Sequence, residues 1–148
     1  MSSQRSRRAP RNQPRPRDVP ANQQQWFVFG PLTFDVEHAH RIIADRPRPL
    51  TSLPVTEWAL AYGLAIRPGQ PASLIQPGPR FDPEYALTVD LSRPVIIATI
   101  SEHDPMPILI DGCHRLYRAA AEQRYTLPAY QLTAAETARI VSGTPAFT

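Results

Sequence analysis

With 148 residues, 16 basic and 13 acidic, the chain is long enough for one domain with its own core. Every basic residue is an arginine, which excludes a Walker-type P-loop and lysine Schiff-base chemistry. The single cysteine excludes an internal disulfide, and no apolar run approaches the ~18 residues of a membrane span, so a cytoplasmic protein without a membrane partner is expected.

The net charge of +3 hides an asymmetry. Residues 1–18 carry six arginines and one acid, a net +5, which leaves the remainder at −2. Residues 1–25 are rich in Arg, Pro, Gln, Asn and Ser, too polar to bury surface against the entropy of ordering, so a disordered tail is expected there. Its arginines Arg5, Arg7, Arg8, Arg11, Arg15 and Arg17 suit a nucleic-acid tether through phosphate contacts, and equally a solubilising tail.

The ordered domain is expected over 26–148, opening with a strand at Trp26–Phe29 that Gly30-Pro31 closes. Asp35 is placed to cap a helix with Val36, Ala39, Ile42 and Ile43 on one face, stopped by Pro47-Arg48-Pro49. Thr56 is the expected cap of a short second helix ending at Gly63, with Trp58 and Trp26 as core anchors, and residues 67–81 read as a long Pro/Gly loop. Asp82-Pro83-Glu84 starts a helix over about 83–89. Val95–Ile100 is apolar enough for a central strand, with Ile108–Ile110 as its hairpin partner. A helix over 112–123, a strand over 127–132 and a last helix from the capping box Thr133–Glu136 to near Gly143 complete the domain.

Chemistry concentrates where Ile108–Ile110 meets Asp111, Gly112, Cys113, His114 and Arg115. A strand that turns directly into a helix leaves the first backbone N–H groups of that helix unpaired, at the positive end of its dipole. This is an anion site in outline: Gly112 permits close approach, His114 and Arg115 add charged donors, and Arg118 widens the patch one turn on. Cys113 at a helix N-terminus beside His114 and Arg115 is expected to have a lowered pKa. Asp111 suits a Mg²⁺ ligand, a general base or an N-cap, and Arg115 is also spaced to pair with it. Glu102, His103 and Asp104 read as a polar hairpin tip; His38 and His40, two apart on a helix, are not spaced to share a metal.

The stretch from Gly112 to Leu132 resembles the C-terminal half of the ParB/sulfiredoxin superfamily. Gly112, Cys113, His114 and Arg115 match the G-C-H-R of sulfiredoxins, followed at compatible spacing by Pro128-Ala129. Gly112 and Arg115 also satisfy the Gly-x-x-Arg of ParB proteins, and Asp111, Gly112, His114 and Arg115 match four of five positions of the Asp-Gly-His-His-Arg of free-serine kinases. Asp111 departs from the sulfiredoxin glycine, and the resemblance covers about residues 85–141.

The resemblance implies an α+β domain with a mixed sheet and packed helices; residues at about 50–82 offer no family-like nucleotide contact and read as an inserted helix-loop segment. It implies a corner that holds the phosphates of ATP or a related nucleotide with Mg²⁺, through Gly112, Cys113, His114 and Arg115. Phosphoryl transfer or hydrolysis follows, with Cys113 or Asp111 as catalytic candidates. A ParB-like nucleic-acid binding protein or nuclease is a second expectation, and a non-catalytic nucleotide-sensing or partner-binding domain a third.

Overall fold

The computed structural model describes residues 26–64 and 82–143. The Arg-rich tail and the 67–81 loop lie outside the described residues. The described residues form an α+β arrangement, with one three-stranded and one four-stranded sheet among them.

Strand β1 (Trp26–Phe29) turns through Gly30 and Pro31 into β2 (Leu32–Asp35), with Phe29 opposite Leu32. Gly30 has φ of 57°, the positive value that a two-residue hairpin turn needs at its first position. Gly30-Pro31 is therefore a turn, and a strand follows it that the polar Thr33 and Asp35 had obscured. Helix α1 (Val36–Asp45) starts as expected: the Asp35 carboxylate accepts from the His38 N–H at 3.0 Å, and Val36, Ala39 and Ile42 are buried.

Strand β3 (Thr51–Pro54) leads into α2 (Val55–Ala61). Thr56 is not the cap of α2. The residue before the helix is Pro54, and the first N–H, that of Val55, is taken by the Tyr125 carbonyl at 3.0 Å. Residues 51–64, within the segment expected to be inserted, supply an edge strand and a core helix: Leu53, Val55, Ala59, Tyr62 and Leu64 are all buried. Pro54 is tolerated because β3 is an edge strand. Trp58 packs against this core, but Trp26 is 49% exposed and joins neither core cluster of the described residues.

Helix α3 is a single turn (Pro83–Ala86), shorter than expected, with the Asp82 carboxylate accepting from the Glu84 and Tyr85 N–H groups. Strands β4 (Val95–Ile100) and β5 (Met106–Asp111) form an antiparallel hairpin; α4 (Cys113–Ala121) then crosses over to β6 (Thr126–Gln131), parallel to β4. The sheet order is β3-β6-β4-β5. The capping box holds: Thr133 Oγ1 accepts from the Glu136 N–H and Glu136 accepts from the Thr133 N–H. But α5 ends at Ala138, short of Gly143. The β-branched pair Ile140-Val141 leaves the helix, and β7 (Val141–Ser142) pairs with β2.

The alternation along β4 explains the layers. Val95 and Ile97 join Leu109, Leu127 and Ala129 against α2 and α4; Ile96, Ala98 and Ile100 join Ile108, Ile110, Leu32 and Phe34 against α1 and the small sheet. A strand buried on both faces must be apolar throughout, as β4 nearly is.

Candidate functional site

The β5–α4 corner is built by a bulge and a glycine. Ile97 pairs with Leu109, but the next residue back, Ile96, pairs with Asp111, so Ile110 is an extra residue on β5. Regular alternation would place Asp111 on the same face as Leu109. The extra residue resets it to the face of Ile96, where α1 lies, as bulges commonly re-aim one side chain. Asp111 Oδ2 there meets His40 Nε2 of α1 at 3.0 Å. Because Asp111 ends its strand, Arg115 also reaches Oδ2 from the first turn of α4, at 3.3 Å.

Gly112 has φ of 118° and ψ of 18°. A Cβ there would lie 2.3 Å from Val95 Cγ1 and 2.7 Å from its Cβ. The glycine is thus required by its own backbone and by β4; its open side is already filled by Val95 rather than left for a phosphate.

Arg115 donates to the carbonyls of Pro94 at 3.1 Å and Arg93 at 3.3 Å in addition to its ion pair. The i,i+4 pairing considered as its alternative role is therefore made, and the guanidinium ties α4 to the entry of β4. Arg118 does not widen a cationic patch: it pairs with Glu122 at 2.6 Å and donates to the Val89 carbonyl. His114 is not a charged donor either. Its Nε2 accepts the Asp82 N–H at 3.1 Å, which requires that nitrogen to be unprotonated, and burial lowers its pKa. The Tyr85 ring stands edge-on to it at 5.0 Å.

The expected reactive thiol is also corrected. Burial, then the neighbouring Asp111 carboxylate, push the Cys113 thiol up to about 12, outweighing Arg115. A local argument from the helix dipole fails because the side chain faces the core beside Tyr62. Tyr62 is itself structural: its hydroxyl accepts from the Leu109 N–H at 2.8 Å and donates to the Leu109 carbonyl at 3.0 Å, sealing β5 where it forms the sheet edge.

Burial would raise the Asp111 pKa, but Arg115, His40 and Arg93 together hold it well below the usual carboxylate range. Asp111 is an ionised acceptor, engaged by two partners and flanked by two guanidiniums, surroundings that oppose a divalent cation. Among the described residues no group of three His, Cys, Asp or Glu side chains is placed to hold a metal ion, and it is the guanidiniums of Arg115 and Arg93 that make Asp111 a poor site for the Mg²⁺ expected there.

Three residues at the corner escaped sequence reasoning. His40 is one; its helical position was legible, its partner 71 residues away was not. Arg93, just before β4, is half-buried, and its side chain makes no hydrogen bond or ion pair with any described residue. Burial lowers its pKa and the charge of Arg115 lowers it further, against the pull of Asp111, Asp90 and Tyr85. Glu37, one turn before His40, is 4% exposed, and burial raises its pKa against the pull of His40 and Arg41. Glu102, His103 and Asp104 lie exposed at the β4–β5 tip, away from this cluster in the sequence and in the hairpin. Arg5, Arg7, Arg8, Arg11, Arg15 and Arg17 lie outside the described residues. No helix among the described residues is long and apolar enough to cross a membrane. Comparison with models of known families, with curated proteins and with solved structures finds no match to this chain.

Proposed function

We propose that the chain is a ParB/sulfiredoxin-like domain that binds the phosphates of ATP or a related nucleotide at the β5–α4 corner. The observation that carries this is the position of Arg93. A half-buried guanidinium without a hydrogen-bonding partner among the described residues lies within electrostatic reach of Arg115, and the corner opens a nine-residue helix. Asp111 pairs directly with Arg115 and, with Asp90, acts on Arg93 only at longer range; a bound anion would give Arg93 a direct partner. Charge-assisted bonds to Arg93 and to the first N–H groups of α4 would hold that anion. Arg115, Asp111 and Gly112 form the frame that holds the corner rather than the ligand contacts themselves. The hairpin, glycine corner, helix and strand follow one another in the order that the resemblance implies, with Pro128-Ala129 in β6. Phosphoryl transfer or hydrolysis is the activity that fits such a ligand, with the bound group stabilised by fixed donors. Neither Cys113 as nucleophile nor a metal held by Asp111 is part of it.

The test is a thermal-shift series with nucleotides and inorganic polyphosphate, with and without Mg²⁺. A ligand at 100 times its Kd stabilises the native state by about 2.7 kcal/mol. Stabilisation by ATP that Arg93→Ala abolishes is the expected result. No stabilisation of the wild-type chain by any phosphate compound would refute the proposal.

A further inference from the structure

His40 enters the corner from a different element, and its geometry is that of an oriented base. The Asp111 carboxylate lies 3.0 Å from Nε2. An ionised carboxylate can only accept, so Nε2 carries a proton, and in the neutral ring it is Nδ1 that holds the free lone pair. Nδ1 has no hydrogen bond to any described residue, and the side chain keeps about a fifth of its surface open to solvent. A carboxylate that fixes the tautomer of a partly open imidazole is half of the arrangement by which hydrolases and transferases activate a nucleophile. The charged groups around it are Glu37 and Arg41 on α1, Asp111 on β5, Arg115 on α4 and Arg93 before β4.

We propose that His40 is the general base of the corner, with Asp111 orienting its ring so that Nδ1 takes the proton of the attacking water or hydroxyl. This rests on the phosphate-binding proposal above. The oxygen of the nucleophile forms a bond to the phosphorus as the bond to the leaving phosphate oxygen breaks. The leaving group departs with that electron pair. The proton of the nucleophile passes to Nδ1 and from there to solvent, and no redox partner is needed. The bulge at Ile110 then has a purpose: without it Asp111 would face α4 and His40 would lack its partner.

The discriminating variant is His40→Gln. Glutamine can still donate from its amide to Asp111, which preserves the tie between α1 and the corner, but it has no basic nitrogen. ATP turnover, with Mg²⁺ present, is compared at saturating ATP between the full-length wild-type chain and this variant, alongside ATP titrations and melting curves. The expected result is a loss of at least 100-fold in kcat, with ATP affinity and melting temperature close to wild type. A long-range ¹H–¹⁵N correlation of the ¹⁵N-labelled chain, assigned by the peak that His40→Gln removes, should show the Nε2–H tautomer. Turnover unchanged in His40→Gln, no turnover in a chain that ATP stabilises, or an Nδ1–H tautomer would each overturn the assignment of His40. Failure of ATP to bind the wild-type chain would instead remove the phosphate-binding proposal, and this step with it.

Discussion

Replacing Gly112 with alanine should destabilise the domain by an amount that can be worked from two terms. The first is conformational. At φ of 118° and ψ of 18° an L-residue lies outside its favoured regions, which costs about 1–3 kcal/mol. The second is steric. The new methyl would lie 2.3 Å from Val95 Cγ1 and 2.7 Å from Val95 Cβ, and overpacking of this kind costs about 1–3 kcal/mol. Together they give on the order of 4 kcal/mol, a large share of the 5–15 kcal/mol typical of a domain. Urea unfolding followed by circular dichroism measures it. Val95→Ala in the same background removes the Cγ1 contact but leaves the Cβ contact and the strained φ. The double variant should therefore be less destabilised than the sum of the singles, by about 1 kcal/mol. Gly112→Ala within about 0.5 kcal/mol of wild type, or strictly additive singles, would refute the view that Val95 and the backbone dictate this glycine.

Tyr62→Phe should cost about 1–3 kcal/mol in the same assay, because it strips the Leu109 N–H and carbonyl of their shared partner. Cys113 should alkylate with iodoacetamide far more slowly at pH 8 than a free thiol, since its pKa is pushed up to about 12. In linkage terms the native state keeps this proton while the unfolded chain loses it above its ordinary pKa of ~8.5. Its contribution to stability is thus complete below that pH and lost between there and about pH 12. Cys113→Ala should flatten that part of the stability profile. Glu136 behaves oppositely: its bond to Arg48, at 2.9 Å to Nη2, holds its pKa below the ordinary value, so its stabilisation is present above ~4.3 and lost as the solution is acidified through the folded value. Glu136→Gln should remove part of the acid-side loss of stability measured between about pH 5 and pH 2.

Local signals in the sequence located much of the frame. The Asp35 cap, the apolar run of β4, its hairpin to β5, the glycine corner and the Thr133–Glu136 capping box are each written within a few consecutive residues. Strands β2, β3 and β7 are not. They are two to four residues long and contain Thr, Ser, Asp or Pro, so their state is decided by the strand they pair with. Thr56 looked like a cap because Thr commonly is one, but Tyr125, remote in sequence, supplies the acceptor. The corner shows the same division. That Asp111 to Arg115 adjoin a helix start was legible; the partners of each side chain were not. One bulged residue decides that Asp111 faces His40, and the packing of Val95, Tyr62 and Asp82 fixes the roles of Gly112, Cys113 and His114. Arg93 gave little signal, as an arginine before a proline is unremarkable until Arg115 is folded beside it.

The central claim is that a nucleotide phosphate sits at the N-terminus of α4, beside Arg93. Backbone amide shifts of the ¹⁵N-labelled chain, followed through an ATP titration, test it most directly. The largest saturable changes should fall on the N–H groups of Cys113, His114 and Arg115, the first of α4, and these changes should vanish in Arg93→Ala while the rest of the spectrum keeps its dispersion. Saturable shifts confined to another part of the domain, or none up to millimolar ATP, would contradict it.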